Sequence, residues 1–296
     1  MLASACLGAT WSSCSPDFGT QGVIDRFGQI EPKVLIAAAG YRYARKSIDL
    51  TDKLNEILAQ LPSLECLVIV PYSRHEASPA DYKSVAPVAL WQDFYQPGGA
   101  PQFTPVPFDQ PLYILYSSGT TGVPKCIVHG VGGTLLQHLK ELGLHTDLGA
   151  SDTLFYYTTC GWMMWNWQVA GLALGATLVL YDGSPMHPVP ARLIDLIDAE
   201  NISVFGTSAK FIAALEKAGV KPRESHKLHS LKTILSTGSP LAHESFEYIY
   251  RDMKRDLCLS SITGGTDIVS CFALGNPTLP VWRGELQCKG LGMDVQ

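Results

Sequence analysis

Short runs of aliphatic and β-branched residues recur along the chain, separated by longer stretches with helical spacing. The runs are Val34–Ala38, Cys66–Val70, Leu112–Tyr116, Cys126–His129, Leu154–Tyr157, Thr177–Tyr181, Ser203–Phe205 and Thr233–Ser236. The helical stretches are Leu50–Leu61, Thr134–Leu144, Ala191–Glu200, Ala209–Ala218 and His243–Lys254. In the first of these, Leu54, Ile57, Leu58 and Leu61 fall on one helix face. Runs that are apolar throughout belong in strands covered on both sides, and the intervening helices supply the covers. The expectation is an α/β fold, mostly parallel sheets flanked by helices. The proline- and glycine-rich segment 96–111 is the expected connector between subregions of about 1–95 and 112–296.

Composition narrows the function. The 296 residues are 46% hydrophobic and 17% charged, enough apolar material for a sizeable core. The net charge of −5 leaves no basic surplus for a phosphate backbone, so no nucleic-acid partner is expected. Eight cysteines at 6, 14, 66, 126, 160, 258, 271 and 288 form no C-x-x-C pair. They read as buried structural thiols of a reducing compartment, which places the protein in the cytosol. Met1–Ala9 is apolar, yet no basic residue precedes Arg26, so a secretory leader is not expected. Residues 153–181 carry no charge, but Thr158, Thr159, Asn166 and Gln168 interrupt them and Gly171 and Gly175 punctuate them. A buried helix feeding a buried strand accounts for that stretch, and no membrane span is expected.

The chemistry concentrates in Ile114-Leu-Tyr-Ser-Ser-Gly-Thr-Thr-Gly-Val-Pro-Lys125. A strand runs into the hydroxyls of Ser117, Ser118, Thr120 and Thr121, the glycines Gly119 and Gly122, and Lys125. Glycines admit close backbone approach, successive N–H groups make an anion-binding concavity, and the lysine adds a point charge. Together they form a polyphosphate cradle, although a polar hairpin turn with an incidental lysine has the same residue types. The common P-loop does not fit, because Pro124 precedes the lysine and strand follows it, and Gly130-Val-Gly-Gly133 lacks the third glycine of a dinucleotide fingerprint.

This string resembles the phosphate-loop signature of the adenylate-forming superfamily, which includes acyl-CoA synthetases, luciferases and peptide-synthetase adenylation domains. Ser236-Thr-Gly-Ser-Pro-Leu241 is similar to its adenine-side turn, and Gly264-Gly-Thr-Asp267 to its threonine-and-acid motif, where glutamate is usual in place of Asp267. The acetoacetyl-CoA synthetase branch is resembled through Trp11–Gly19, Gly161–Trp167, Leu180–Pro185, Ile234–Pro240 and Gly264–Ile268.

The resemblance implies a ligase that adenylates acetoacetate with ATP and transfers the acyl group to coenzyme A. It implies that Lys125 and the loop residues Ser117, Ser118, Gly119, Thr120, Thr121 and Gly122 hold the distal phosphates. Gly238, Ser239 and Pro240 would line the adenine, Thr266 would contact the α-phosphate, and Asp267 would bind Mg2+. Lys125, Thr266 and Asp267 are the expected catalytic residues. Trp162, Met163, Met164 and Gly264 would line the acyl pocket, Gly264 leaving space for the longer acid. Trp165 and Trp167 read equally as plain core. Arg42 and Arg45 lie where relatives grip the coenzyme A phosphates, or form a solvated basic loop. The chain reads as a partial adenylation domain, the central part of the large N-terminal domain, without the C-terminal lid. Other readings are an acetyl- or propionyl-CoA synthetase and a non-catalytic nucleotide-binding remnant.

Overall fold

The computed structural model describes residues 1–73, 76–117 and 122–296. The chain forms two compact units, Met1–Gly130 and Val131–Gln296. Segment 96–111 lies inside the first unit.

In the first unit, helix α1 (Thr20–Ile30) and strand β1 (Val34–Ala38) precede a hairpin of β2 (Gly40–Tyr43) and β3 (Lys46–Asp49). Helix α2 (Thr51–Leu58), β4 (Cys66–Val70) and β5 (Val88–Leu90) follow. Strands β1, β4 and β5 form a parallel sheet with β4 central, Val34 opposite Cys66 and Leu67 opposite Val88. Val23 and Phe27 of α1 and Leu54, Ile57 and Leu58 of α2 pack with Leu67 and Ile69 in the core. Each such side chain contributes about 1.5–3 kcal/mol of burial. The unit ends in an antiparallel hairpin, β6 (Pro111–Ser117) and β7 (Lys125–Gly130).

The second unit opens with helix α3 (Val131–Leu139), which widens into a π-turn over Lys140–His145. Strand β8 (Thr153–Tyr156), helix α4 (Met163–Ala170) and strand β9 (Thr177–Val179) come next. They are followed by α5 (Arg192–Ala199), β10 (Val204–Ser208), α6 (Ala209–Lys217), β11 (Thr233–Thr237), α7 (His243–Tyr248) and β12 (Cys258–Ser261). The five strands make one parallel sheet in the order β9-β8-β10-β11-β12. Successive side chains alternate between its faces. Phe155, Phe205 and Ile234 join Leu193, Ile197, Phe211, Ile212 and Phe246 of α5, α6 and α7 in one core. Tyr156 points the other way, against Trp167 of α4. A small antiparallel sheet of β13 (Thr263–Gly265), β14 (Ser270–Leu274) and Cys288–Lys289 completes the unit.

The expected α/β class and parallel pairing are what the chain adopts. Several local expectations change. The strand expected over 177–181 stops at Val179, and the exposed Leu180 follows it. The helices expected over 134–144 and 243–254 each pass from α to π geometry, at Lys140 and at Ile249. The cysteines are free thiols, but Cys271 alone is buried; the other seven are half-buried, because all but Cys126 lie in loops or at the first or last residue of an element.

Candidate active site

The parallel sheet of the second unit has a topological switch point. The chain leaves β8 for β9 on one side and returns to β10 on the other, so β8 and β10 lie adjacent, Tyr156 opposite Gly206. In open α/β sheets, ligands bind beyond the carboxyl ends of the strands at such a point. Trp162 and Met163 lie in the connection leaving β8, and Gly238–Pro240 directly follow β11. The turn Thr266–Ile268 follows β12 through β13. The second-unit candidates therefore leave one sheet edge. The 530 Å3 cavity at the opposite, amino edge is lined by Val204, Lys232, Thr233 and Cys258 and holds none of them.

Aromatic rings order that edge. A side chain on Gly206 would collide with the ring of Tyr156, so the ring lies directly over the β10 backbone. Tyr156 is 3% exposed, its hydroxyl donates to the Thr207 carbonyl at 3.3 Å, and burial pushes its phenol far above the ordinary range. Trp162 stands edge-on to Tyr156 at 6.0 Å, and Trp167 edge-on at 6.2 Å. Gly238, at φ +88°, has its missing side chain's position 4.0 Å from the Trp162 ring. The expected adenine-side turn and acyl-pocket wall thus lie side by side, with room for little more than a methyl group between Gly238 and the Trp162 ring. Ser239 is half-buried, and Pro240 is exposed. Met163 and Met164 are buried along α4, Trp165 is half-buried, and Trp167 is fully enclosed.

Gly264 behaves differently from the expectation. Its α-hydrogen side does not open a space for substrate, because the Ser270 carbonyl fills it and the Cys271 Cα would lie 2.9 Å from an added Cβ. Gly264 pairs with Cys271 beside a register shift in the β13–β14 ladder, and the glycine lets the two backbones close. Thr266 is half-buried and Asp267 is exposed, its carboxylate Oδ2 3.8 Å from the side-chain position of Gly265. Mg2+ is commonly held by one or two carboxylates together with substrate phosphates. Among the described residues no three His, Cys, Asp or Glu side chains converge. Asp267 beside Thr266 fits such an ion when nucleotide phosphates complete its shell.

Immediately after this turn, Val269 takes a left-handed conformation, φ +50° and ψ +35°, while 4% exposed. A β-branched residue there is strained, and such strain clusters at functional sites. The fully buried His138 donates from Nε2 to the Val269 carbonyl at 2.9 Å.

In the first unit, Ser117 pairs with Lys125 across the β6–β7 hairpin, so the described ends of the expected phosphate loop face each other at the strand ends. Ser117 is half-buried, and Gly122 and Lys125 are exposed. Ser118, Gly119, Thr120 and Thr121 lie outside the described residues. Gln29 donates to the Pro124 carbonyl at 2.9 Å, tying the lysine side of the hairpin to α1. Arg42 lies on β2, and Arg45 occupies the β2–β3 turn at φ +71°; both are exposed.

Two residues that sequence reasoning passed over are Glu141 and His145 of the π-turn. Glu141 is fully buried and accepts from Trp167 Nε1 at 2.9 Å, the Cys271 amide at 2.9 Å and the Ser270 hydroxyl. Burial, then the adjacent Glu141, pushes the Cys271 thiol well above its ordinary value. His145 donates from Nδ1 to the Gly275 carbonyl at 2.8 Å and accepts from the Leu291 amide at 3.0 Å. The available signal was Gly143 inside a helical pattern, where a helix departs from regular geometry.

A protein-family model described as "AMP-binding enzyme" matches residues 1–281. Acetoacetyl-coenzyme A synthetase from Rhizobium meliloti strain 1021 is 55% identical over 297 residues, covering 100% of this chain and 45% of that protein. Acetoacetyl-CoA synthetase from Mus musculus is 50% identical over 301 residues, with the same coverages. The solved structure of acetoacetyl-CoA synthetase from Streptomyces lividans superposes with a TM-score of 0.93 at 44% identity, covering 100% of this chain and 45% of that one. The chain spans under half the length of these relatives. With the family model matching nearly the whole sequence, the chain belongs to the AMP-binding enzyme family.

Proposed function

We propose that this chain carries the nucleotide- and acid-binding part of an acetoacetate–CoA ligase, and that its two units belong to one adenylation domain. The observation that supports this most is that Trp162, Gly238, Thr266 and Asp267 all follow the carboxyl ends of strands of one parallel sheet, with Gly238 beside the Trp162 ring. The acid's carboxylate attacks the α-phosphorus of ATP, giving an acyl-adenylate and pyrophosphate, and the thiol of coenzyme A then displaces AMP. Positioning and charge neutralisation do most of the catalytic work in such transfers. Lys125 and the loop hydroxyls hold the distal phosphates, Thr266 contacts the α-phosphate, and Gly238, Ser239 and Pro240 line the adenine. Bound Mg2+ supplies charge neutralisation next to Asp267. Trp162, Met163 and Met164 line the acid, and Arg42 and Arg45 meet the phosphates of coenzyme A. The choice of acetoacetate rests on the likeness to the named relatives, since the backbone packing at Gly264 removes the argument from open space. Among the described residues no helix is long and apolar enough to cross a membrane, and we place the reaction in the cytosol.

The test is thioester formation by the protein that carries this chain, supplied in turn with acetoacetate, acetate and propionate. Acetoacetyl-CoA should dominate the products. ATP binding without any thioester would make the protein a nucleotide binder and end the ligase reading.

A further inference from the structure

We propose that Glu141 is a positioning residue for the adenylation edge, holding both the strand behind the Thr266–Asp267 turn and the aromatic wall ending in Trp162. This inference rests on the reading under Proposed function. A fully buried carboxylate is costly unless hydrogen bonds satisfy it, and burying ionic groups gains little stability over apolar packing. Glu141 has such bonds: Gln137 of its own helix donates to Oε1 at 3.4 Å, and the others come from two different elements. Oε2 accepts from the Trp167 indole at 2.9 Å, while Oε1 accepts from the Ser270 hydroxyl and from the Cys271 amide at 2.9 Å. The Lys140 ammonium lies 3.7 Å away, itself mostly covered.

Each branch leads to the site. Ser270 pairs with Gly265 and Cys271 with Gly264, and the Ser270 carbonyl fills the side-chain position of Gly264. A shift of residues 270–271 is therefore passed by backbone contact to Gly264 and Gly265, next to Thr266. On the other branch, Trp167 meets Tyr156 edge-on, Tyr156 meets Trp162 edge-on, and Trp162 reaches Gly238. His138, three residues before Glu141 and so on the same helix side, holds the Val269 carbonyl. The two side chains grip consecutive residues 269, 270 and 271. The π-turn that carries Glu141 is a rare geometry frequently found at functional sites.

Glu141→Gln is the test variant, because its amide nitrogen replaces one of the two oxygens, so the side chain can accept from the indole or from the Ser270–Cys271 pair but not from both. In the 296-residue chain, 15N–1H spectra should show the Trp167 indole resonance moving, with the Thr266, Asp267 and Trp162 amides moving alongside it. A perturbation confined to Trp167, Ser270 and Cys271 would overturn the proposal, whatever the reaction proves to be. In the protein that carries this chain, kcat for acetoacetate adenylation should fall about 10–100-fold, as for other orienting partners of a site, with KM for ATP unchanged. Should Glu141→Gln fail to fold, Trp167→Phe and Ser270→Ala each remove one donor. Each should lower kcat by a smaller factor, and wild-type kcat in both overturns the proposal. Absence of acetoacetate-dependent turnover in the unsubstituted protein contradicts the functional reading and leaves the spectra to decide the role of Glu141.

Discussion

The ring of Tyr156 occupies the space that a side chain at Gly206 would fill. The two residues face each other across neighbouring strands at the switch point of the sheet. Glycine there allows the ring to lie over the backbone, and from that place Tyr156 meets both Trp162 and Trp167. Gly206→Ala should push the ring aside and cost about 1–3 kcal/mol, the usual range for an overfilled core. Thermal unfolding of the 296-residue chain should show a midpoint lower by several degrees. A variant with unchanged midpoint and unchanged tryptophan spectrum would show that the ring has room to move.

Gly264 and Gly133 make a contrasting pair. An alanine methyl at 264 meets backbone atoms of Ser270 and Cys271, which cannot swing away as a side chain could. Gly264→Ala should destabilise by about 1–3 kcal/mol. Gly133 lies on α3 with no atom within 4 Å of its side-chain position. Gly133→Ala should raise stability by about 0.5–1 kcal/mol, because alanine loses less backbone entropy in a helix. Denaturant titration of both variants decides it; equal shifts would mean that the close approach at Gly264 is not real.

Asp152 sets an acid limit on the second unit. Burial alone would raise its carboxyl, but the Lys232 ammonium at 2.9 Å, the Gly149 amide at 3.0 Å and the Ser203 hydroxyl at 2.8 Å outweigh that and hold it below the ordinary value. A lowered folded value means that the stabilisation is complete above the unfolded value of about 3.9 and is lost as pH falls through the folded one. The Lys232 ammonium is raised by the same hydrogen bond, so its share is complete below about 10.4 and is lost as pH rises through the folded value. Asp152→Asn should lower the urea midpoint at pH 7 and flatten its decline between pH 5 and pH 2. An unchanged decline would show that other carboxylates govern acid unfolding.

Where strands are apolar throughout, the chain was legible at the level of letters. Cys66–Val70 forms a buried central strand with those bounds, and Val34–Ala38 forms its strand too, although Val34 and Ile36 stay exposed on one face. Helix α1 could have been read from Val23 and Phe27, which bury at a spacing of four. The strands β13 and β14 could not, because Thr-Gly-Gly has no strand pattern of its own and exists only through pairing with Ser270–Ala273. The motifs at Gly238 and Thr266 were visible because backbone-close chemistry restricts residue types. Glu141 was invisible for the opposite reason: an acid on an amphipathic helix reads as solvent-facing, and the donors that make its burial tolerable come from residues 167, 270 and 271.

The central claim is that the protein carrying this chain adenylates acetoacetate, and exchange of labelled pyrophosphate into ATP measures that half-reaction without coenzyme A. Exchange should require acetoacetate, run faster with it than with acetate, and fall roughly tenfold to a hundredfold in Lys125→Ala, the loss expected for one charged hydrogen-bonding contact of about 1.5–3 kcal/mol. Exchange that is indifferent to the acid supplied, or that survives Lys125→Ala at the unsubstituted rate, would contradict the account.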